Sequence, residues 1–139
     1  MINAFFLSIE NCRQGEQQPL SEVVENLSFD HNGLIPVIAQ DHLSRDVLMM
    51  AWMNRSALEQ TLASGQMTYW SRSRSKLWRK GESSGHHQQL KSMRIDCDGD
   101  TLLCDVDQQG AACHTGRKDC FYLQVDTHAK HVVVTDSTP

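Results

Sequence analysis

Between Arg94 and Tyr122 the chain reads RIDCDGDTLLCDVDQQGAACHTGRKDCFY, and this stretch restricts the fold more than any other. It holds four of the five cysteines of a 139-residue chain. Met93-Arg94-Ile95 precedes Asp96-Cys97-Asp98-Gly99-Asp100 and Thr101-Leu102-Leu103 follows it, so an extended reading is natural. Side chains alternate between faces along a strand. Asp96, Asp98 and Asp100 then share one face and Cys97 takes the other. Three carboxylates on one face repel each other unless a cation sits among them. Hard oxygen ligands suit Mg²⁺ or Ca²⁺, whereas a thiolate suits Zn²⁺. The pentapeptide therefore offers donors to two different metals.

Cys97 alone cannot hold zinc, and Cys113 and Cys120, which bracket the turn from His114 to Asp119, are its best partners. No C-x₂-C pair occurs, which argues against a closed structural site. Three protein ligands with a fourth position left for water is the catalytic arrangement. His114 could complete the shell or serve as a general base beside it. Cysteines are also small buried hydrophobes, and spacing alone leaves both readings open. A calcium loop is rejected: the EF-hand needs Gly at position six and Glu at position twelve, where this chain has Thr101 and Asp107.

Length fits one domain spanning residues 1–139. A formal net charge of −4 disfavours a dedicated nucleic-acid binder. No apolar run approaches a membrane span, and nothing at the start reads as a signal peptide. An odd cysteine count without a secretion signal points to a reducing compartment, so the expectation is cytoplasmic.

Residues 1–18 carry little signal, and Cys12 reads as an unligated, partly exposed thiol. Pro19 opens a short helical pattern with Leu20, Val23, Val24 and Leu27 on one stripe. Leu34–Gln40 reads as a strand at which Pro36 argues for an edge or a bulge. Val47–Met53 is apolar on both faces and predicts a central, buried strand. Asn54–Ser64 is the clearest helix, with a Ser56/Glu59 capping-box pattern and Gly65 at its end. Taken as extended, Met67–Lys80 puts Trp70, Arg72, Arg74, Lys76, Trp78 and Lys80 on one face. Such a basic ladder could grip phosphates and stack a purine, or simply defend a strand edge. Gly81–Gln88 is a polar loop in which Ser83, Ser84 and backbone amides could cradle a phosphate and the paired histidines could touch a substrate. Gln89–Cys97 and Leu102–Val106 form a hairpin, with Cys104 as packing, and residues 123–139 give a terminal hairpin and tail.

DCDGDTLL followed by GAACHTGRKDCFY resembles the signature of the phosphoribosyl-AMP cyclohydrolases of histidine biosynthesis. GLIPVIAQD, VLMMAWMN and YWSRSRSKLWRKGESSG resemble that family's other motifs in the same order. The resemblance implies zinc-dependent hydrolysis of the N1–C6 bond of phosphoribosyl-AMP, with Cys97, Cys113 and Cys120 on zinc and Asp96, Asp98 and Asp100 on magnesium. It implies a small nucleotide substrate with two phosphates, and makes Trp70, Arg72, Arg74, Lys76, Lys80, Ser83, Ser84 and Arg117 candidate contacts. It further implies an intertwined homodimer whose zinc draws cysteines from both chains. His114 is the expected base. Asp119, before Cys120, departs from the small residue expected there and adds charge beside a thiolate.

The fold expectation is α+β, mainly antiparallel strands with about two helices. A zinc nucleobase deaminase would carry H-x-E and P-C-x-x-C, and neither occurs. A small zinc-stabilised module gripping RNA or a nucleotide through Trp70–Lys80 is the reading from another class.

Overall fold

The computed structural model describes residues 3–139. A mixed four-stranded sheet has the order β2-β1-β6-β5, built from β1 (Ile35–Asp41), β2 (Val47–Met53), β5 (Gln88–Ile95) and β6 (Leu102–Gln108). β1 pairs antiparallel with β2 and β5 with β6, while β1 and β6 run parallel. Two separate hairpins complete the strands: β3 (Thr68–Ser71) with β4 (Lys76–Arg79), and β7 (Leu123–Asp126) with β8 (His131–Val134). The class is α+β, with three helices among the described residues: α1 (Ala4–Ser8), α2 (Leu20–Glu25) and α3 (Arg55–Ser64).

β1 is a central strand, so of the edge or bulge that Pro36 suggested the edge is absent, and the register shift of β1 against β2 falls at Ala39/Gln40, beyond the proline. Proline removes a ladder donor, but the parallel pairing with β6 begins only at Val37, so Pro36 lies before it. β2 is correspondingly an outer strand, and its apolar run is only partly covered: Leu48 on one face and Met49 and Met53 on the other are buried, while Val47 and Met50 are exposed. Ile35, Val37, Ala39, Leu102, Cys104 and Val106 form the middle of the core.

α3 is capped by Asn54, whose side chain accepts the Ala57 amide at 2.8 Å, and ends at Gly65 in the left-handed region. Ser56 lies inside the helix and Glu59 pairs with Arg55 instead, so the Ser56/Glu59 capping box does not form. Within α2 and the turn after it, Val24 and Leu27 are buried while Leu20 stays exposed. The first residues contribute more than their sequence suggested. Asn3 caps α1 and also donates to Asn26 O and Ser28 Oγ, and Phe6 enters the core.

Candidate functional site

Met67–Lys80 folds back on itself, because Arg72–Ser75 is a turn with Ser75 at a φ of 50°. The ladder of six residues on one face is therefore replaced by a hairpin in which Trp70 lies opposite Leu77 and Tyr69 opposite Trp78. Tyr69 is buried, packs its ring 5.2 Å from that of Trp78, and donates its hydroxyl to Gln88 at 2.6 Å. Gln88, also buried, donates onward to Gln108. The hairpin is thereby fixed to the base of β5. Met67 N bonds to Gln88 O and Lys80 N to Met67 O, closing that junction.

Beside this junction lies a cleft of about 560 Å³. The hairpin contributes Arg74 and Lys80, the polar loop Ser83, Ser84 and His86, and the Cys-His-Thr-Gly turn Cys113 and His114. Gly81 makes the loop possible. Its φ is +83°, and a Cβ there would meet the His86 backbone at 2.5 Å. His86 is held by its Nδ1 at 3.1 Å from Ala111 O, and its ring lies against Gly110, where a Cβ would meet it at 2.6 Å.

Cys113 and Cys120 sit close enough to shift each other's titration. Burial pushes the Cys113 thiol up, but the Thr115 hydroxyl and amide, Cys120 and Arg117 together hold it below its ordinary value. Cys120 is pushed up to about 11, first by burial and then by Cys113, with Asp119 adding to the rise. Two neighbouring sulfurs form a soft donor pair for a cation. Lys80 is half-buried and donates to Ala112 O at 2.5 Å; burial lowers its pKa while the two cysteines act the other way. Cys104, in contrast, lies in the core with its thiol pushed up to about 12 by burial, as a packing residue.

Cys97 is elsewhere. Asp96-Cys97-Asp98-Gly99-Asp100 is a tight turn, not a strand, closed by Asp96 N to Thr101 O and Gly99 N to Asp96 O. Alternation between faces is lost, so Cys97 and the carboxylates lie together. Donor atoms of Asp96, Cys97 and Asp98 fall within 4.8 Å of one another. Asp98 is pushed up to about 6, first by hydrogen bonding with the Asp96 and Asp100 carboxyls and then by their like charge. Phe6 packs against Gly99, and Ser28 N donates to Gly99 O at 2.8 Å, so α1 and the turn after α2 brace this tip. β5 separates the tip from the cleft. Seven residue steps from Gln88 to Ile95, at about 3.3 Å each, span roughly 23 Å. Within one chain Cys97 does not join Cys113 and Cys120.

The other candidate contacts divide. Arg74, Lys80, Ser83 and Ser84 line the cleft with Cys113 and His114. Trp70, Arg72, Lys76 and Arg117 do not. Arg72 lies over the Trp52 ring at 4.8 Å. Arg117 stacks on Tyr122 at 3.9 Å and donates its Nε to Asp136 O at 2.8 Å. Both guanidinium groups are committed to aromatic faces. The sequence puts Trp78 on the face that could stack a purine but gives Tyr69 and Gln88 no part. Trp78 lines the cleft, while Tyr69 and Gln88 support it from below. Their signal appears only once the hairpin pairs Tyr69 with Trp78.

No helix among the described residues is long and apolar enough to cross a membrane. The profile of the phosphoribosyl-AMP cyclohydrolase family matches residues 49–122. A phosphoribosyl-AMP cyclohydrolase of Chromohalobacter salexigens is 55% identical over 96% of this chain and 90% of its own length. One from Alcanivorax borkumensis is 60% identical over 84% of this chain and 86% of its own. One from Alkalilimnicola ehrlichii is 55% identical over 92% and 90% respectively.

Proposed function

The chain belongs to the phosphoribosyl-AMP cyclohydrolase family, and from that premise we propose that it is the enzyme of histidine biosynthesis that hydrolyses the N1–C6 bond of phosphoribosyl-AMP. The observation that carries this reading is the single cleft in which Arg74, Lys80, Ser83 and Ser84 surround Cys113 and His114. Cations and hydroxyls suited to phosphate therefore share one cleft with a cysteine sulfur suited to a metal and an imidazole suited to moving a proton.

Zinc is the ion that fits the Cys113/Cys120 pair, with Cys97 of the partner subunit as third ligand. Two neighbouring sulfurs are a soft donor set, and a third is missing from the same chain. When bound, zinc supplies the Lewis acidity that makes water a competent nucleophile near neutral pH. Thiolates donate more charge than imidazoles and weaken that effect, so a base is needed. His114 is placed for it, on the cleft wall next to Cys113. It takes one proton as water adds to C6, then returns it to N1 as the N1–C6 bond breaks. The exocyclic nitrogen stays on C6 and takes up the second water proton as the carbonyl forms, leaving a carboxamide. Lys80 and Arg74 hold substrate phosphate, and Ser83 and Ser84 donate to it. Trp78 offers the apolar face on which a base can stack. Asp96, Asp98 and Asp100 are the donors for magnesium, their hard oxygens suiting that ion and two of them, Asp96 and Asp98, already lying within 4.8 Å of each other.

The test is turnover. Phosphoribosyl-AMP, zinc and magnesium are mixed with the purified protein, and the loss of purine absorbance is followed. Turnover that chelator abolishes and zinc restores is expected. A folded, zinc-loaded protein that leaves phosphoribosyl-AMP untouched would sink the reading.

A further inference from the structure

We propose that the β7–β8 arm docks antiparallel along the open outer edge of β5 in a second copy of this chain, bringing Asp126 against Lys91 of the partner subunit. The inference rests on the division of the zinc ligands between two chains proposed above.

The arm is apolar and uncovered. Leu123, Val125, Val132, Val133 and Val134 are each between 44% and 66% exposed, and strand alternation spreads them over both faces. A lone two-stranded hairpin is marginal in water, and an exposed apolar strand edge is a template for pairing. The arm leaves directly from Cys120, through Phe121 and Tyr122, and Phe121 is itself exposed.

β5 presents the matching surface. Its inner edge pairs with β6, and the start of its outer edge is covered, since Leu90 N bonds to Gly65 O and Gln89 bridges to Gln66. Among the described residues nothing pairs with the outer edge from Ser92 to Ile95, which leads straight to Cys97. Peptide strands bind such edges through main-chain hydrogen bonds.

The cysteines set direction and register. If Cys120 meets Cys97 of the partner subunit, the arm starts at the tip of the partner's β5–β6 hairpin. β5 runs towards that tip and β7 runs away from Cys120, so the two lie antiparallel. Leu123 stands three residues after Cys120 and Arg94 three before Cys97. At six residues the pair is Asp126 and Lys91, of opposite charge. Lys91 is exposed and is the residue skipped in the β5–β6 register, a bulge that turns its side chain out of the regular alternation. Asp126 accepts the His128 and Ala129 amides through Oδ1 at 3.0 Å each, and its Oδ2 is 4.0 Å from His131 Nε2. A two-fold axis repeats the contact, giving two arms, two edges and two complete cysteine sets per dimer.

Sedimentation of the full-length, zinc-loaded protein across a dilution series tests this. The wild type is expected to be a dimer. Val125→Asp with Val133→Asp should raise the dissociation constant by at least about tenfold and lower bound zinc per chain, with circular dichroism unchanged. Lys91→Asp, which touches no bond within the arm, should weaken the dimer, whereas the charge-conserving Lys91→Arg should leave it as tight as wild type. A zinc-bridged dimer indifferent to the arm substitutions overturns the arm contact and leaves the shared zinc intact. A Lys91→Asp dimer as tight as wild type overturns the register. A wild type that is monomeric, fully zinc-loaded and active overturns both.

Discussion

His114 and Asp105 show how differently two polar residues are used. His114 is exposed on the cleft wall and supports no packing. His114→Ala is therefore expected to keep its melting temperature and zinc content while losing about 10²–10⁴-fold in kcat, the usual contribution of a positioned base. Metal analysis beside the turnover assay separates this from ligand loss. Asp105 is buried and accepts from Gln40 at 2.7 Å, Ser92 at 2.8 Å and Arg45 at 2.6 Å. Those bonds, Gln40 and Ser92 foremost, hold its carboxyl below the ordinary value. A depressed carboxylate contributes stability that is full above the unfolded value of about 3.9 and is lost as pH falls through the folded one. Asp105→Asn should thus cost roughly 1–3 kcal/mol at neutral pH, because it strips an anion from three donors. The gap from wild type should narrow in acid. Denaturant titrations at pH 7 and pH 3 check the sign, and a gap that widens in acid would refute the argument.

At the scale of elements, backbone geometry decides what the loops can do. Gly81 combines a φ of +83° with a close backbone approach to His86, so a methyl group cannot be absorbed by a side-chain movement. Gly81→Ala should displace the Ser83–Ser84 loop and raise KM more than it changes the melting temperature, because the loop is exposed and the core lies elsewhere. A KM equal to wild type would show that the loop does not touch substrate. Asn54→Ala removes the cap of α3 and should cost about 1 kcal/mol with turnover unchanged, as α3 carries no cleft residue. Thermal unfolding of both variants distinguishes a binding loop from a scaffold helix.

At the scale of the whole molecule, the separation of the Cys97 turn from the Cys113/Cys120 pair is the dominant fact. It predicts subunit complementation. Cys97→Ser and Cys113→Ser proteins should each be inactive, yet mixing them through dissociation and reassociation should recover about a quarter of wild-type turnover. Half the dimers are then mixed, and each has one intact site of two. Recovery absent from a confirmed mixed dimer would mean that the cysteines serve within one chain. Lys118 pairs with Asp46 across the same region, joining the cysteine turn to the β1–β2 loop. An exposed pair of this kind contributes little to stability, and the Cys120 amide bond to Leu48 O is the firmer anchor of the turn.

Local chemistry is legible in the sequence. The Cys-His-Thr-Gly turn, the α3 helix with Gly65 at its end and the β5–β6 hairpin all follow from residue types and spacing, since each depends on interactions a few residues long, whereas the acidic pentapeptide reads as a strand and folds as a turn. Buried Cys104 and the exposed terminal hairpin belong to the same group. What the sequence could not fix is set by contacts between distant segments. Whether an apolar strand is central or outer depends on which neighbour pairs with it, so β1 and β2 exchange the places their composition suggests. Whether Trp70–Lys80 makes one basic face depends on a turn at Arg72–Ser75, which a run of alternating Ser and Arg does not announce. The parallel β1–β6 pairing joins residues more than sixty positions apart and has no periodicity of its own. Sequence alone determined which side chains could do the chemistry, because reactivity belongs to residue type. Only the tertiary structure decided which of them meet, because that depends on the long-range pairings that place the cysteine turn and the acidic turn at opposite ends of β5.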